Sequence, residues 1–148
     1  MLALHVLAAF ALAAALVVFT VVVVGGRAAT TLDDVRTLFR VSRLGNPLVI
    51  AGTLLVLVLG IVLAIDHEDY QLWDGWIIAA IVLWAVFAGV GARTGKYWDG
   101  VQELAESGTA PDSEVLMRLR APTGLYLHFA SLALFLLLLL DMIFKPGA

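Results

Sequence analysis

The chain has no cysteine, and only 14% of its 148 residues are charged. Without thiols, disulfides, Cys-ligated zinc and iron–sulfur clusters are all excluded. No block of Lys and Arg of the kind that grips nucleic acid is present, and nine basic against twelve acidic residues leave a formal charge of −3. What fills the space is apolar. Hydrophobic residues make up 62% of the chain, and the mean hydropathy is +1.01. Ordinary soluble domains are less apolar than this, so the sequence reads as an integral membrane protein whose first partner is the lipid bilayer.

Crossing a hydrocarbon core of roughly 30 Å takes about 20 helical residues. Four runs meet that requirement, at about 2–24, 47–65, 72–92 and 124–144. The sequence predicts an all-α, integral membrane four-helix up-down bundle, a single domain over residues 1–148, with short amphipathic helices on the cytoplasmic side. The first run is interrupted only by His5 and Thr20; it is too long for a signal-peptide core and lacks a basic leader, so it reads as a retained span. Ala9 and Ala13 in the first span, and Ala85 and Gly89 in the third, repeat at four-residue spacing and suit close helix packing. Thr31 with Asp34 reads as a capping box that opens an amphipathic helix over 31–44. Its Arg36, Arg40 and Arg43 form either a solvated face or a stripe lying on an anionic membrane surface. Asn46-Pro47 then opens the second span. Later, a helix ending at Ser107 is stopped by Gly108, and Pro111-Asp112-Ser113 starts a short one.

Charge placement sets orientation. Arg27, Arg36, Arg40, Arg43, Arg93, Lys96, Arg118 and Arg120 occupy the first and third connections, against Lys145 alone on the other side. The positive-inside rule makes both connections cytoplasmic and leaves the termini and the acidic 66–76 connection outside.

That topology sorts the candidate ligands. His5 and His128 fall near opposite leaflets and are too far apart to share one metal or haem. On the outer side His5, His67 and Met142 can converge, and His/His or His/Met pairs are ligand sets for haem b or copper. A hydrogen-bonded interfacial histidine is the plainer alternative. Asp66, Glu68, Asp69 and Asp74 are either oxygen donors for a hard cation or an acidic cap, in a spacing that matches no calcium loop. Asp141 stands one turn before Lys145, which suits an ion pair, with proton handling as the other reading. Trp73, Trp76, Tyr97 and Trp98 fall where aromatic belts do. Trp84 lies in mid-span and needs a backbone carbonyl or a ligand for its N–H.

Four short stretches carry a family likeness: Leu4-His5-Val6-Leu7, Arg43-Leu44-Gly45-Asn46-Pro47, Gly75-Trp76 and Phe144-Lys145-Pro146-Gly147. Spread from residue 4 to residue 147, they carry a likeness that extends over nearly the whole chain. The arrangement resembles small four-helix bacterial membrane proteins related in pattern to CopD-like copper-resistance proteins and to HemJ-type protoporphyrinogen oxidases. The resemblance implies a bacterial inner membrane location. It also implies that His5 matches the haem-associated histidine, Arg27 an arginine near the end of that helix, and Trp76 the tryptophan opening the third helix. The oxidases' lysine after that tryptophan is replaced here by the run Ile77-Ile78-Ala79-Ala80, and Ala11-Leu12-Ala13-Ala14-Ala15 stands where a Trp-Gly region is expected. The resemblance therefore implies a bundle retained with part of the oxidase site lost.

The expected function is that of a non-catalytic membrane accessory protein or subunit, docking other membrane subunits or a second copy of itself. The rival is a haem- or copper-handling protein built on His5. A porphyrinogen-oxidase-like enzyme ranks last.

Overall fold

The computed structural model describes residues 1–66, 70–108 and 111–145; among them there are five α-helices and no strand. These are α1 (Leu2–Ala28), α2 (Leu32–Asp66), α3 (Gly75–Ser107), α4 (Asp112–Arg120) and α5 (Pro122–Phe144). The chain is an all-α four-helix bundle in which α1, α2, α3 and α5 are each long and apolar enough to cross a membrane, and α4 is a short connector. α1 packs chiefly on α2, and α3 chiefly on α5, so the bundle is two antiparallel hairpins side by side. Large apolar side chains such as Phe10, Val17, Val21, Ile50 and Leu54 point outward. Such a surface is a liability in water and a contact surface in lipid.

Local signals account for most helix ends. The Asp34 carboxylate accepts from the Thr31 N–H at 3.1 Å, while the Asp34 N–H donates to the Thr31 hydroxyl at 3.2 Å. That reciprocal pair is the capping box expected from the sequence. At the end of α3, Gly108 takes the left-handed conformation (φ 64°) that halts a helix at little cost. α4 starts at Asp112 after Pro111, as the sequence suggests.

Two expectations need correction. The amphipathic segment 31–44 and the second span are not separate helices, because α2 runs unbroken for 35 residues with Pro47 inside it. Proline removes one helical hydrogen bond, which membrane helices tolerate when neighbours hold the backbone. Here α1 does so: the Phe19 ring lies 3.1 Å from where a Cβ on Gly45 would stand, pinning α2 two residues before the proline. Likewise the segment ending at Ser107 is the continuation of α3, so α4 is the one short helix among the described residues.

At the usual rise, α2 measures roughly 52 Å and α3 roughly 50 Å, well beyond a hydrocarbon core of roughly 30 Å. Both project at the end where α4 and eight of the nine basic residues lie. This basic end has its own core of Val35, Phe39, Trp98, Val101, Val115 and Leu119, all buried. Around it, side chains close off helix ends. The Arg27 guanidinium donates to the Arg120 carbonyl at 2.8 Å, and Arg120 returns a bond to the Ala29 carbonyl at 3.0 Å. Arg36 donates to the Ala105 carbonyl, and Tyr97 to that of Arg118. Terminal carbonyls of α1, α3 and α4 thereby gain the partners that a helix end otherwise lacks.

Candidate ligand-binding cavity

At the opposite end, where α1 begins and α5 ends, the two hairpins part. They enclose a cavity of about 420 Å³ lined from α1, α2, α3 and α5. Its wall is mostly aliphatic, including Ala9, Ala13, Ala80, Phe87 and Leu138. Lining residues remain exposed on the side of α1 and α5 (Phe10, Ile143) and on that of α2 and α3 (Ile61, Ile81). The space therefore opens toward the surface that lipid would cover.

The cavity begins with a glycine. Gly60 interrupts the aliphatic run of α2, and His5 of α1 packs over it, with its Cε1 3.1 Å from where a Cβ would stand. Any larger residue there displaces the imidazole. His5 Nδ1 is buried without a hydrogen-bond partner. So is the indole N–H of Trp76, a residue only 6% exposed that lines the same wall. Trp84 also lines the cavity, but its N–H donates to the Thr53 carbonyl at 3.0 Å. That bond is one of the two outcomes its mid-span position allows.

Lys145 closes the cavity at the end of α5. Its backbone N–H donates to the Asp141 carbonyl at 2.8 Å, and φ of 41° turns it out of the helix. Its ammonium donates to the Tyr70 hydroxyl and stands 4.4 Å from the centre of the Tyr70 ring and 5.4 Å from that of Trp76. The two rings meet edge to face at 5.1 Å. The expected Asp141–Lys145 ion pair is therefore absent among the described residues, and the Asp141 carboxylate is buried with Oδ2 unpartnered. The αL turn at Lys145 is the reason, since it carries the side chain off α5 and toward Tyr70.

Of the proposed ligand set, His5 and Met142 line this one cavity. His67, like Glu68 and Asp69, lies outside the described residues. No group of three or more His, Cys, Asp or Glu suited to a metal occurs among the described residues. His128 belongs to another layer, buried in α5 and bonded through Nε2 to the Thr20 hydroxyl at 2.9 Å. Fifteen residues of α1 separate Thr20 from His5, roughly 22 Å along the axis, so the two histidines serve different regions. Arg27 is farther still from His5 and holds α4.

The helix-packing candidates divide. Ala9 and Ala13 line the cavity, whereas Ala85 and Gly89 are exposed on α3, with open space beside Gly89. Of the arginine stripe, Arg36 bonds to Ala105, Arg43 pairs with Glu106 at 2.6 Å, and Arg40 is exposed. Trp73 is exposed as a belt residue should be, but Trp76 and Trp98 are interior. Lys145, Tyr70 and Gly60 were not sequence candidates for the site. Gly60, one of two glycines in the apolar run 48–65, was the one signal that could have marked it. Compared with models of known families, with curated proteins and with solved structures, the chain has no match.

Proposed function

We propose that this chain is a non-catalytic accessory protein of the bacterial inner membrane that works by binding, holding an apolar molecule in the cavity beside His5. The observation that carries this reading is the cavity itself, about 420 Å³ between the hairpins, in which the imidazole of His5 and the ammonium of Lys145 interrupt an otherwise aliphatic and aromatic lining. The size also fits, since small-molecule sites run from about 300 to 1,000 Å³. The crowding of basic residues at one end supports a cytoplasmic location for it, with the cavity in the outer half of the membrane. The exposed Ala85 and Gly89 on α3 leave room for a neighbouring span, which supports an accessory role beside another subunit or a second copy.

Native mass spectrometry of the gently extracted protein tests the reading. The wild type should retain a small-molecule adduct at higher occupancy than Ala80→Leu, which narrows the cavity. A wild type that carries no adduct, or equal adducts on both proteins, overturns it.

A second reading, haem b or copper held by His5 with Met142, is favoured by one observation: both residues line the same cavity. A Soret band on haem addition that His5→Ala abolishes would support it, and an unchanged spectrum would exclude it. A porphyrin-oxidising enzyme gains no support, because the position after Trp76 holds Ile77, buried against Ala64 and Trp76.

A further inference from the structure

The polar equipment of the cavity is one-sided. Among the described residues that line it there are a cation, Lys145, the indole of Trp76 and the imidazole of His5, but no Asp or Glu. This is notable in an end of the molecule that is otherwise acidic. Asp66, Asp74 and Asp141 belong to it and do not line the cavity. Lys145 is also the one Lys or Arg at this end of the chain. It is held over Tyr70 and Trp76 by ring faces and by one hydrogen bond, and an ammonium has three N–H donors. A carboxylate competitor one turn away, Asp141, is turned elsewhere, and no ion pair reaches the ammonium among the described residues. Beyond these groups the wall is aliphatic and aromatic, through Ala9, Ala13, Phe87 and Leu138.

We propose that the ligand of this cavity is an anionic amphiphile, its carboxylate or phosphate head held by the Lys145 ammonium and its apolar tail lying between the hairpins. This rests on the binding reading above and names the ligand's class. A cation at one end, with no carboxylate beside it in the lining, selects a negative head. The aliphatic wall and the openings toward lipid accept a chain that enters sideways from the bilayer.

Tryptophan fluorescence tests it directly, because Trp76 and Trp84 both line the cavity. The full chain is placed in nanodiscs of phosphatidylcholine and titrated with dibrominated stearate, whose bromines quench nearby indoles, and with dibrominated stearyl alcohol as the neutral match. Saturable quenching by stearate at a concentration about tenfold below that of the alcohol is expected, the preference typical of a charge-assisted hydrogen bond. Lys145→Gln should abolish the preference while leaving the alcohol's midpoint in place. Lys145→Arg should keep it, which separates loss of charge from loss of fold. Dibrominated stearyl phosphate distinguishes the sources: tighter binding than stearate assigns a phosphate-headed lipid, and weaker binding assigns a free fatty acid. Equal binding of acid and alcohol, a preference that survives Lys145→Gln, or tighter binding of the matching amine overturns the anionic class and leaves the binding reading standing. If neither acid nor alcohol saturates, both fall.

Discussion

The two ends of this bundle are built from the same four helices and differ in how completely they are closed. At the basic end, side chains from α1, α2, α3 and α4 meet around Val35 and Val115, both 0% exposed, and arginines occupy the terminal carbonyls. At the other end α1, α2 and α3 diverge with α5 around an open space, and among the described residues His5, Trp76 and Asp141 each bury a polar atom with no partner, against the Trp98 indole N–H at the basic end. Buried polar groups are nearly always satisfied in proteins, so those that are not call for an explanation. Packing is closed where the helices leave the span, and the proposed binding space lies where they remain within it.

Substitutions can break or sharpen this contrast. The largest effect is expected for Phe39→Ala, which removes a ring that is 4% exposed and packed 6.5 Å from that of Trp98. A loss of about 3–5 kcal/mol is typical of such a cavity, and a circular-dichroism melt in detergent would measure it. A loss below about 1 kcal/mol would show that the basic end is not the stabilising one. Next comes Gly124→Ala. A Cβ there would stand 2.7 Å from Tyr97 and 2.8 Å from Trp98, so α5 must shift away from α3, at about 1–3 kcal/mol. The same change at the other end, Gly60→Ala, should be the mildest. Its nearest obstacle is the His5 ring at 3.1 Å, which has a cavity to move into. Its melt should stay within about 0.5–1 kcal/mol of wild type, the cost of Ala and Gly differing by that much in a helix. Equal costs at Gly124 and Gly60 would erase the distinction between the ends.

Much of the closed end was legible in the sequence. Continuous apolar runs announce spans because lipid leaves the backbone few other options. The Thr31–Asp34 box, Gly108 and Pro111-Asp112 are local signals, and they mark helix ends where they should. Pro47 misled for a physical reason. Proline suits both the first turn of a helix and a kink inside one, and the contact that decides here comes from Phe19, far away in sequence. The cavity was not legible at all. A void is a relation among four helices, and neither Lys145 with Tyr70 nor Gly60 with His5 is close along the chain. The belt reading of Trp76 failed similarly, since position near an interface does not say whether an indole faces lipid or protein.

The unbroken course of α2 has a mechanical consequence. Besides Gly45, held at 3.1 Å by the Phe19 ring, α1 pins α2 at Gly52, whose Cβ position stands 3.2 Å from the Leu12 Cβ. Gly60 lies roughly 12 Å from Gly52 toward the cavity and Arg43 roughly 14 Å the other way. A helix pinned at two points bends beyond them more easily than it turns about either. Widening the space around His5 therefore moves the Gly60 end of α2 and leaves Arg43 where it grips Glu106.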